Sequence, residues 1–200
     1  MERKINLNEL RDKAYQCAVA HGWHEENLSD EHWLCLVISE LMEAVEAGRK
    51  GKHSDVAKFK EWQGNSIPLT EETRSRRFKE DFEAYIKGTV EEELADTCIR
   101  IFDLAGLRNI NLSSIPFPIE NSKDHIENRS KLTFTEWCYD VTRVIAKYNK
   151  DNYPIGYLFI GVLQELCCIA KIKNFDLLWH INQKMKYNEL RPYKHGDKAY

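Results

Sequence analysis

Two segments with the periodicity of amphipathic helices each carry a pair of carboxylates three residues apart. The pairs are Glu40 and Glu43 in "VISELMEAVEA", and Glu93 and Asp96 in "VEEELADTCIRIFDLAG". Side chains three apart on a helix lie on neighbouring positions of one surface, so the members of each pair project together. Apolar residues recur every three or four positions beside both pairs, which places the acids at the border of an apolar stripe. Packing the two stripes together would bring all four carboxylates to one seam.

A seam with four carboxylates is a candidate cation site. The mutual repulsion of the acids destabilises such a seam unless protons or cations compensate it. Hard oxygen ligands select magnesium or manganese. Either pair alone also occurs in solvated helices without a metal, because glutamate is a good helix former. The two pairs together predict a Mg²⁺ or Mn²⁺ site with the ligands Glu40, Glu43, Glu93 and Asp96.

Length and composition favour one domain spanning residues 1–200. Two hundred residues with 42% hydrophobic content suffice for a single core. A net charge of −3 and a pI near 6.2 argue against binding nucleic acid through bulk charge. No leader-like pattern follows Met1 and no apolar run reaches about 18 residues, so we expect no membrane span and a cytoplasmic location.

The six cysteines show no CxxC spacing, and several fall on apolar faces of predicted helices. Such cysteines are typical of buried thiols in a reducing compartment. The residues concerned are Cys17, Cys35, Cys98, Cys138, Cys167 and Cys168.

Start and stop signals predict an all-α fold, a helical bundle, because strand alternation is nearly absent. Thr133 and Glu136 have capping-box spacing, as do Thr89 and Glu92, so Glu92 is assigned to a cap and left out of the metal site. The predicted helices run from Asn6 to Gly22, from Ser29 or Asp30 to 48–51, from Thr89 to about Leu107, from Thr133 to Lys147, through "IGYLFIGVLQELCCIAKI", and from about Phe175 to Leu190.

Two segments interrupt the predicted helices. Residues from about 52 to 88 are polar and charged and contain Gly64 and Pro68, which predicts a polar insertion with one short helix starting after Thr70. Residues from about 108 to 131 contain Pro116 and Pro118 and predict a turn-rich linker.

Three aromatic or imidazole side chains lie near the end of the first helix. Trp23 could stack on a nucleotide base, or it could pack in the core or cap the helix end. His21 and His24 are expected at the surface.

The order of these motifs resembles the MazG-like, all-α nucleoside triphosphate pyrophosphohydrolase superfamily, which also holds the dimeric dUTPases and phosphoribosyl-ATP pyrophosphatases. The family pattern is ExxE on one helix and ExxD on the next, binding magnesium, and it falls on the four acids named above. The 49 residues between Glu43 and Glu93 are more than in compact members, which leaves the substrate open. The resemblance covers a little under a third of the chain, in "HGWHEENLSDEHWLCLVISELMEAVEAGRKGK", "VEEELADTCIRIFDLAG" and "KMKYNELRPYKHGDK".

The resemblance also implies that the terminal segment contacts the nucleotide. Arginine can fork two phosphate oxygens, and lysine offers a mobile point charge. Composition alone favours a solvated basic tail instead. The implied substrate-binding residues are Lys184, Tyr187, Asn188, Arg191, Lys194 and His195.

The implied activity is Mg²⁺-dependent hydrolysis of a nucleoside or deoxynucleoside triphosphate to a monophosphate and pyrophosphate, for housecleaning or control of the nucleotide pool. The alternatives are a dUTPase-like dNTP hydrolase and a non-catalytic helical interaction protein on the same fold. A di-iron carboxylate bundle is disfavoured because the chain has no Glu-x-x-His pair. Since relatives assemble from helical subunits, we expect a homo-oligomer, either a dimer or a tetramer.

Overall fold

The computed structural model describes residues 5–61 and 70–194, and all regular secondary structure in those ranges is helical. The predicted all-α bundle is therefore confirmed. The helices are α1 (Leu7–Ala20), α2 (Asp30–Arg49), α3 (Val56–Glu61), α4 (Glu71–Tyr85), α5 (Val90–Leu107), α6 (Lys123–Ser130), α7 (Phe134–Ala146), α8 (Ile155–Lys173) and α9 (Leu177–Glu189).

Polar residues that were predicted to open helices form the N-caps. The side chains of Asn6, Ser29 and Thr89 each accept a hydrogen bond from a backbone N–H in the first turn of α1, α2 and α5. Each bond satisfies a donor that has no partner within its helix. Thr133 and Glu136 form the complete predicted capping box of α7.

Helix α5 lies at the centre of the bundle and packs against α1, α2, α8 and α9. Helix α2 presents Leu34, Val37 and Leu41 to the same core. The ExxE and ExxD helices are therefore neighbours, as the sequence predicted. The predicted apolar stripe of α5 is buried throughout, and consists of Val90, Leu94, Cys98, Ile101, Phe102 and Ala105.

Helix α1 approaches α5 closely at Gly106. A Cβ atom added there would lie 2.5 Å from the Cβ of Tyr15. Only a residue without a side chain fits at this separation, so Gly106 sets the distance between the two helices.

The 52–88 insertion is more structured than predicted. Its described residues contain two helices, α3 and α4, and a second apolar cluster in which Phe59, Phe78, Phe82 and Ile86 pack with Tyr187 of α9. Phe78 and Phe82 on α4 and Ile86 at its C-cap are spaced four positions apart, which gives a narrow apolar stripe among many charges. The stripe was overlooked because the average composition of the segment is polar. Gly64 and Pro68 lie outside the described residues.

The predicted 108–131 linker also contains a helix, α6. No residue of α6 is buried, so the helix lacks the apolar periodicity that sequence analysis depends on. Arg129 instead attaches α6 to the bundle through ion pairs with Asp140 of α7, at 3.0 Å, and Glu165 of α8, at 2.9 Å.

All six cysteines are free thiols, and four of them are buried as predicted. Cys17 is half-buried and Cys35 is exposed, so the prediction is wrong for Cys35. The reducing compartment stays a prediction.

Among the described residues, one helix is long and apolar enough to cross a membrane by length and composition alone. This helix is α8, which has a mean hydropathy of 1.7. Ten of its residues are buried against other helices of the chain, including Leu163 and Leu166. Helix α8 is therefore a core helix of the bundle, while the cytoplasmic location stays a prediction.

The second cluster should contribute substantially to stability. Phe82→Ala removes a ring with no solvent exposure, and we expect a loss of about 3–5 kcal/mol in the free energy of unfolding. Urea denaturation followed by circular dichroism measures the loss. Tyr139→Ala is the control, since this ring is 66% exposed and its removal should change the value by less than about 0.5 kcal/mol. Equal losses in the two variants would contradict a second core.

Candidate functional site

The packing of α2 against α5 brings three of the four predicted metal ligands together. One carboxylate oxygen from each of Glu40, Glu93 and Asp96 lies within 4.8 Å of the others. Glu40 is 5% exposed and Glu93 is 7% exposed. These three residues form a buried acid cluster.

Glu43, the fourth predicted ligand, lies outside this group. Its side chain is exposed on α2, one turn after Glu40. Its charge still contributes to raising the pKa values of Glu40 and Glu93. Glu43 therefore lies at the border of the acid cluster, on its solvent side.

Burial and mutual repulsion dominate the ionisation of two of the acids. Burial, with the charge of Asp96, raises the pKa of Glu40 to about 7. Burial, with the charges of Glu92 and Asp96, raises the pKa of Glu93 to about 9. Burial also acts on Asp96, but the charges of Lys184 and Arg100 outweigh it and hold the pKa of Asp96 below its ordinary value.

Two cations partly neutralise the acid cluster. Arg100 Nε donates to Glu40 Oε1 at 2.9 Å, and Lys184 Nζ pairs with Asp96 Oδ2 at 2.7 Å. Lys184 also pairs with Glu92. The carboxylate of Glu93 makes no hydrogen bond or ion pair with any residue in 5–61 or 70–194. A buried acid without a counter-ion must take up a proton or a cation.

Glu92 is a member of this network that sequence analysis missed. Thr89 accepts from the backbone N–H of Glu92, as the cap predicted. In a capping box the Glu92 side chain would accept from the backbone N–H of Thr89. Here it accepts instead from the backbone N–H of Gly88 and from Lys184. The available signal was the four-residue spacing of Glu92 and Asp96, which places both on the side of α5 that faces α9.

The donor set fits a hard divalent cation in its chemistry. Three carboxylates from two rigid helices offer oxygen ligands, and Glu93 lacks a counter-charge. Magnesium holds oxygen ligands at about 2.1 Å in an octahedron, so adjacent ligands lie about 3 Å apart and opposite ligands about 4.2 Å apart. The three oxygens lie within 4.8 Å of one another, so movements of the side chains alone can bring them to these separations.

A cleft between α1, α5 and α9 opens beside the acid cluster and encloses about 600 Å³, including its mouth. Asp96 and Arg100 line its inner part, and Asn188 and Arg191 line another wall. The Oδ1 atom of Asn188 is buried and has no hydrogen-bond partner among the described residues. Half-buried Trp23 also lines the cleft, which leaves both of its predicted roles open.

The structure separates the residues that the resemblance assigned to the substrate. Asn188 and Arg191 line the cleft, whereas Lys184 lies in the acid network. The Tyr187 ring stacks on Phe82 with centroids 4.4 Å apart, and its hydroxyl donates to Glu83 at 2.7 Å, so it belongs to the second core instead of the cleft.

Lys194 lies at the surface, where its ammonium pairs with Glu25 at 2.7 Å. His195, the remaining residue of the predicted set, lies outside the described residues.

The surface positions predicted for His21 and His24 are wrong. His21 is 9% exposed, and its Nε2 lies 3.0 Å from the backbone oxygen of Arg191. The side chain of His24 is 6% exposed, and its Nε2 lies 2.7 Å from Asp103 Oδ1. Both imidazoles turn inward because they find polar partners on other parts of the chain.

No family model, curated protein or solved structure matches this chain. The fold and the site therefore define its class by themselves: an all-α bundle in which a buried acid cluster adjoins a cleft with basic and amide side chains.

The stability of the metal-free protein should fall as pH rises from about 5 to about 9. Folded Glu40 keeps its proton up to about pH 7 and folded Glu93 up to about pH 9, whereas the unfolded chain releases both near the ordinary carboxyl pKa, so each rise in pH within these ranges favours unfolding. Urea denaturation with a chelator at several pH values measures this fall. Glu93→Gln should flatten it, and exposed Glu127→Gln should not. An unchanged slope in Glu93→Gln would show that this acid is ionised throughout.

Replacing Lys184 should destabilise the metal-free protein and increase the rise in melting temperature that Mg²⁺ produces. Lys184→Met leaves two acids without their buried counter-charge, so we expect a loss of about 3–5 kcal/mol. A divalent cation can replace the missing charge, so Mg²⁺ should raise the melting temperature of this variant more than that of the wild type. Lys186→Met, an exposed neighbour on α9, is the matched control. An equal Mg²⁺ response in all three proteins would contradict competition between Lys184 and the metal.

Proposed function

We propose that this protein is a Mg²⁺-dependent nucleoside triphosphate pyrophosphohydrolase of the MazG-like type, releasing pyrophosphate and a nucleoside monophosphate. The observation that carries the proposal is the buried, unpaired carboxylate of Glu93 in an acid cluster beside a cleft. The motif order in the sequence supports the same activity.

In this proposal Glu40, Glu93 and Asp96 hold the metal, and Glu43 completes the set from the solvent side. Bound Mg²⁺ would supply charge neutralisation for the phosphates and the leaving pyrophosphate. Holding the acids on two packed helices keeps their oxygens in a fixed arrangement, so little reorganisation is needed when charge develops.

The remaining groups of the cleft suit an anionic substrate. The guanidinium of Arg191 makes no ion pair within the described ranges, and it lies near enough to the acid cluster to affect the pKa of Asp96. Arg191 can therefore bind phosphate oxygens, and Asn188 can supply an amide donor. Lys184 offers a second positive charge from within the acid network.

The reaction needs a water molecule that attacks the α-phosphorus. One carboxylate of the acid cluster accepts the proton from this water as the new P–O bond forms. The bond from the α-phosphorus to the bridging oxygen then breaks, and the electron pair leaves with pyrophosphate. The products are a nucleoside monophosphate and pyrophosphate.

One observation favours the alternative of a non-catalytic helical interaction protein. Lys184 and Arg100 already neutralise part of the acid cluster, so those ion pairs need no metal. This alternative leaves Glu93 without a role. The predicted homo-oligomer stays a prediction.

The decisive experiment is a magnesium-dependent activity assay. Purified protein is incubated with Mg²⁺ and a panel of ribo- and deoxynucleoside triphosphates, and both pyrophosphate and monophosphate are measured. We expect equimolar products, with a loss of at least about 100-fold in Glu93→Gln and Asp96→Asn, because each removes a ligand oxygen charge. Glu46→Gln is the control, since Glu46 is exposed on α2 and pairs with Lys50. The absence of pyrophosphate with every nucleotide would leave the non-catalytic alternative.

A further inference from the structure

The cleft extends from the acid cluster along one face of α5 to a second acidic side chain. Asp96, Arg100 and Asp103 are spaced four and three residues apart, so they lie on one side of the helix. Asp103 is seven residues from Asp96, or about 10 Å along the helix axis. Trp23 lines the same cleft.

Asp103 is held in a fixed orientation by His24. The Oδ1 atom of Asp103 lies 2.7 Å from His24 Nε2, and the two side chains are 8% and 6% exposed. With Asp103 ionised, its oxygens only accept hydrogen bonds, and His24 Nε2 is then the donor. The imidazole is itself fixed between the rings of Tyr15, at 5.2 Å, and Trp33, at 4.9 Å.

The second oxygen of Asp103 has no partner in the described part of the chain. Every hydrogen bond of this carboxylate is made by Oδ1, which leaves Oδ2 as the acceptor available to a ligand in the cleft. A largely buried acceptor without a donor is unfavourable, and burial correspondingly raises the pKa of Asp103. A ligand that donates a hydrogen bond at this point would remove that cost.

We propose that Asp103 is a specificity-determining residue that accepts a hydrogen bond from the exocyclic amino group of the substrate base. The inference rests on the proposed function, which places the triphosphate at the acid cluster and the base farther along the cleft. A base bound beyond the triphosphate, about 10 Å along α5 from Asp96, would lie beside Asp103. The ring of Trp23 supplies an aromatic surface for that base.

The proposal divides the nucleotides into two groups. Cytosine, adenine and guanine carry an exocyclic amino group as a hydrogen-bond donor, whereas the exocyclic polar groups of uracil and thymine are carbonyl oxygens only. A carboxylate attracts the amino group and repels the carbonyl oxygen. The enzyme should therefore prefer amino-bearing bases, which excludes a dUTPase-like preference.

The test compares dCTP with dUTP, whose bases differ in the group at C4, amino against carbonyl, and in the hydrogen that only uracil carries on N3. Both are mixed in one reaction with Mg²⁺, and the two monophosphates are measured, so the ratio of kcat/KM values is independent of the fraction of folded enzyme. We expect wild-type protein to prefer dCTP by at least about tenfold. In Asp103→Asn the ratio should fall below about threefold or reverse, because the new amide can donate to the uracil carbonyl.

Two further variants separate recognition from general damage. His24→Ala should also lower the preference for dCTP over dUTP, since Asp103 then loses the group that orients it. Asp12→Asn, on the exposed side of α1, should keep the wild-type ratio.

A ratio near one in wild type, or an unchanged ratio in Asp103→Asn, would overturn the inference while leaving the proposed function intact. An effect of Asp103→Asn on CTP against dCTP alone would assign the residue to the sugar and overturn it too. Hydrolysis of neither nucleotide would overturn the proposed function and this inference with it.

Discussion

The buried ammonium of Lys184 is the contact on which the arrangement of the site depends. It joins α9 to α5 through Glu92 and Asp96, at a point where Lys184 is only 5% exposed. Loss of one partner in such a pair leaves an uncompensated buried charge, and that penalty exceeds what the pair itself contributes. Because Asn188 lies one turn farther along α9, the position of the cleft wall follows from this single interaction.

The carboxylates in and around the acid cluster outnumber the positive charges beside them. Arg100 and Lys184 supply two positive charges. A proton or a cation must balance the remainder, and the occupant depends on pH and on metal concentration. The same imbalance therefore accounts for the raised pKa values and for the proposed affinity for magnesium. The acids that face the two cations are Glu40, Glu92, Glu93 and Asp96, with Asp103 facing Arg100 from farther along α5.

Local patterns made most of the helices, though not α3 and α6, and three of the site acids predictable, because apolar stripes, caps and carboxylate pairs are visible within a few residues of sequence. Contacts between distant positions were not predictable in this way. Lys184 meets Glu92 across 92 positions, and His24 meets Asp103 across 79. The packing of Tyr187 in the second core was not predictable either, because its partner, Phe82, lies in an insertion whose composition is polar.

Helix α9 has two neighbours with different chemistry on adjacent faces. Tyr187 packs in the aromatic cluster of the insertion, and Lys184, three residues earlier, lies in the acid network. The insertion therefore supports the helix that supplies a charge to the site, although none of its own residues belongs to the acid cluster. Removing α4 would uncover the ring of Tyr187 and take away one support of α9, so the aromatic packing of this helix is linked to the charge balance on the other side of α9.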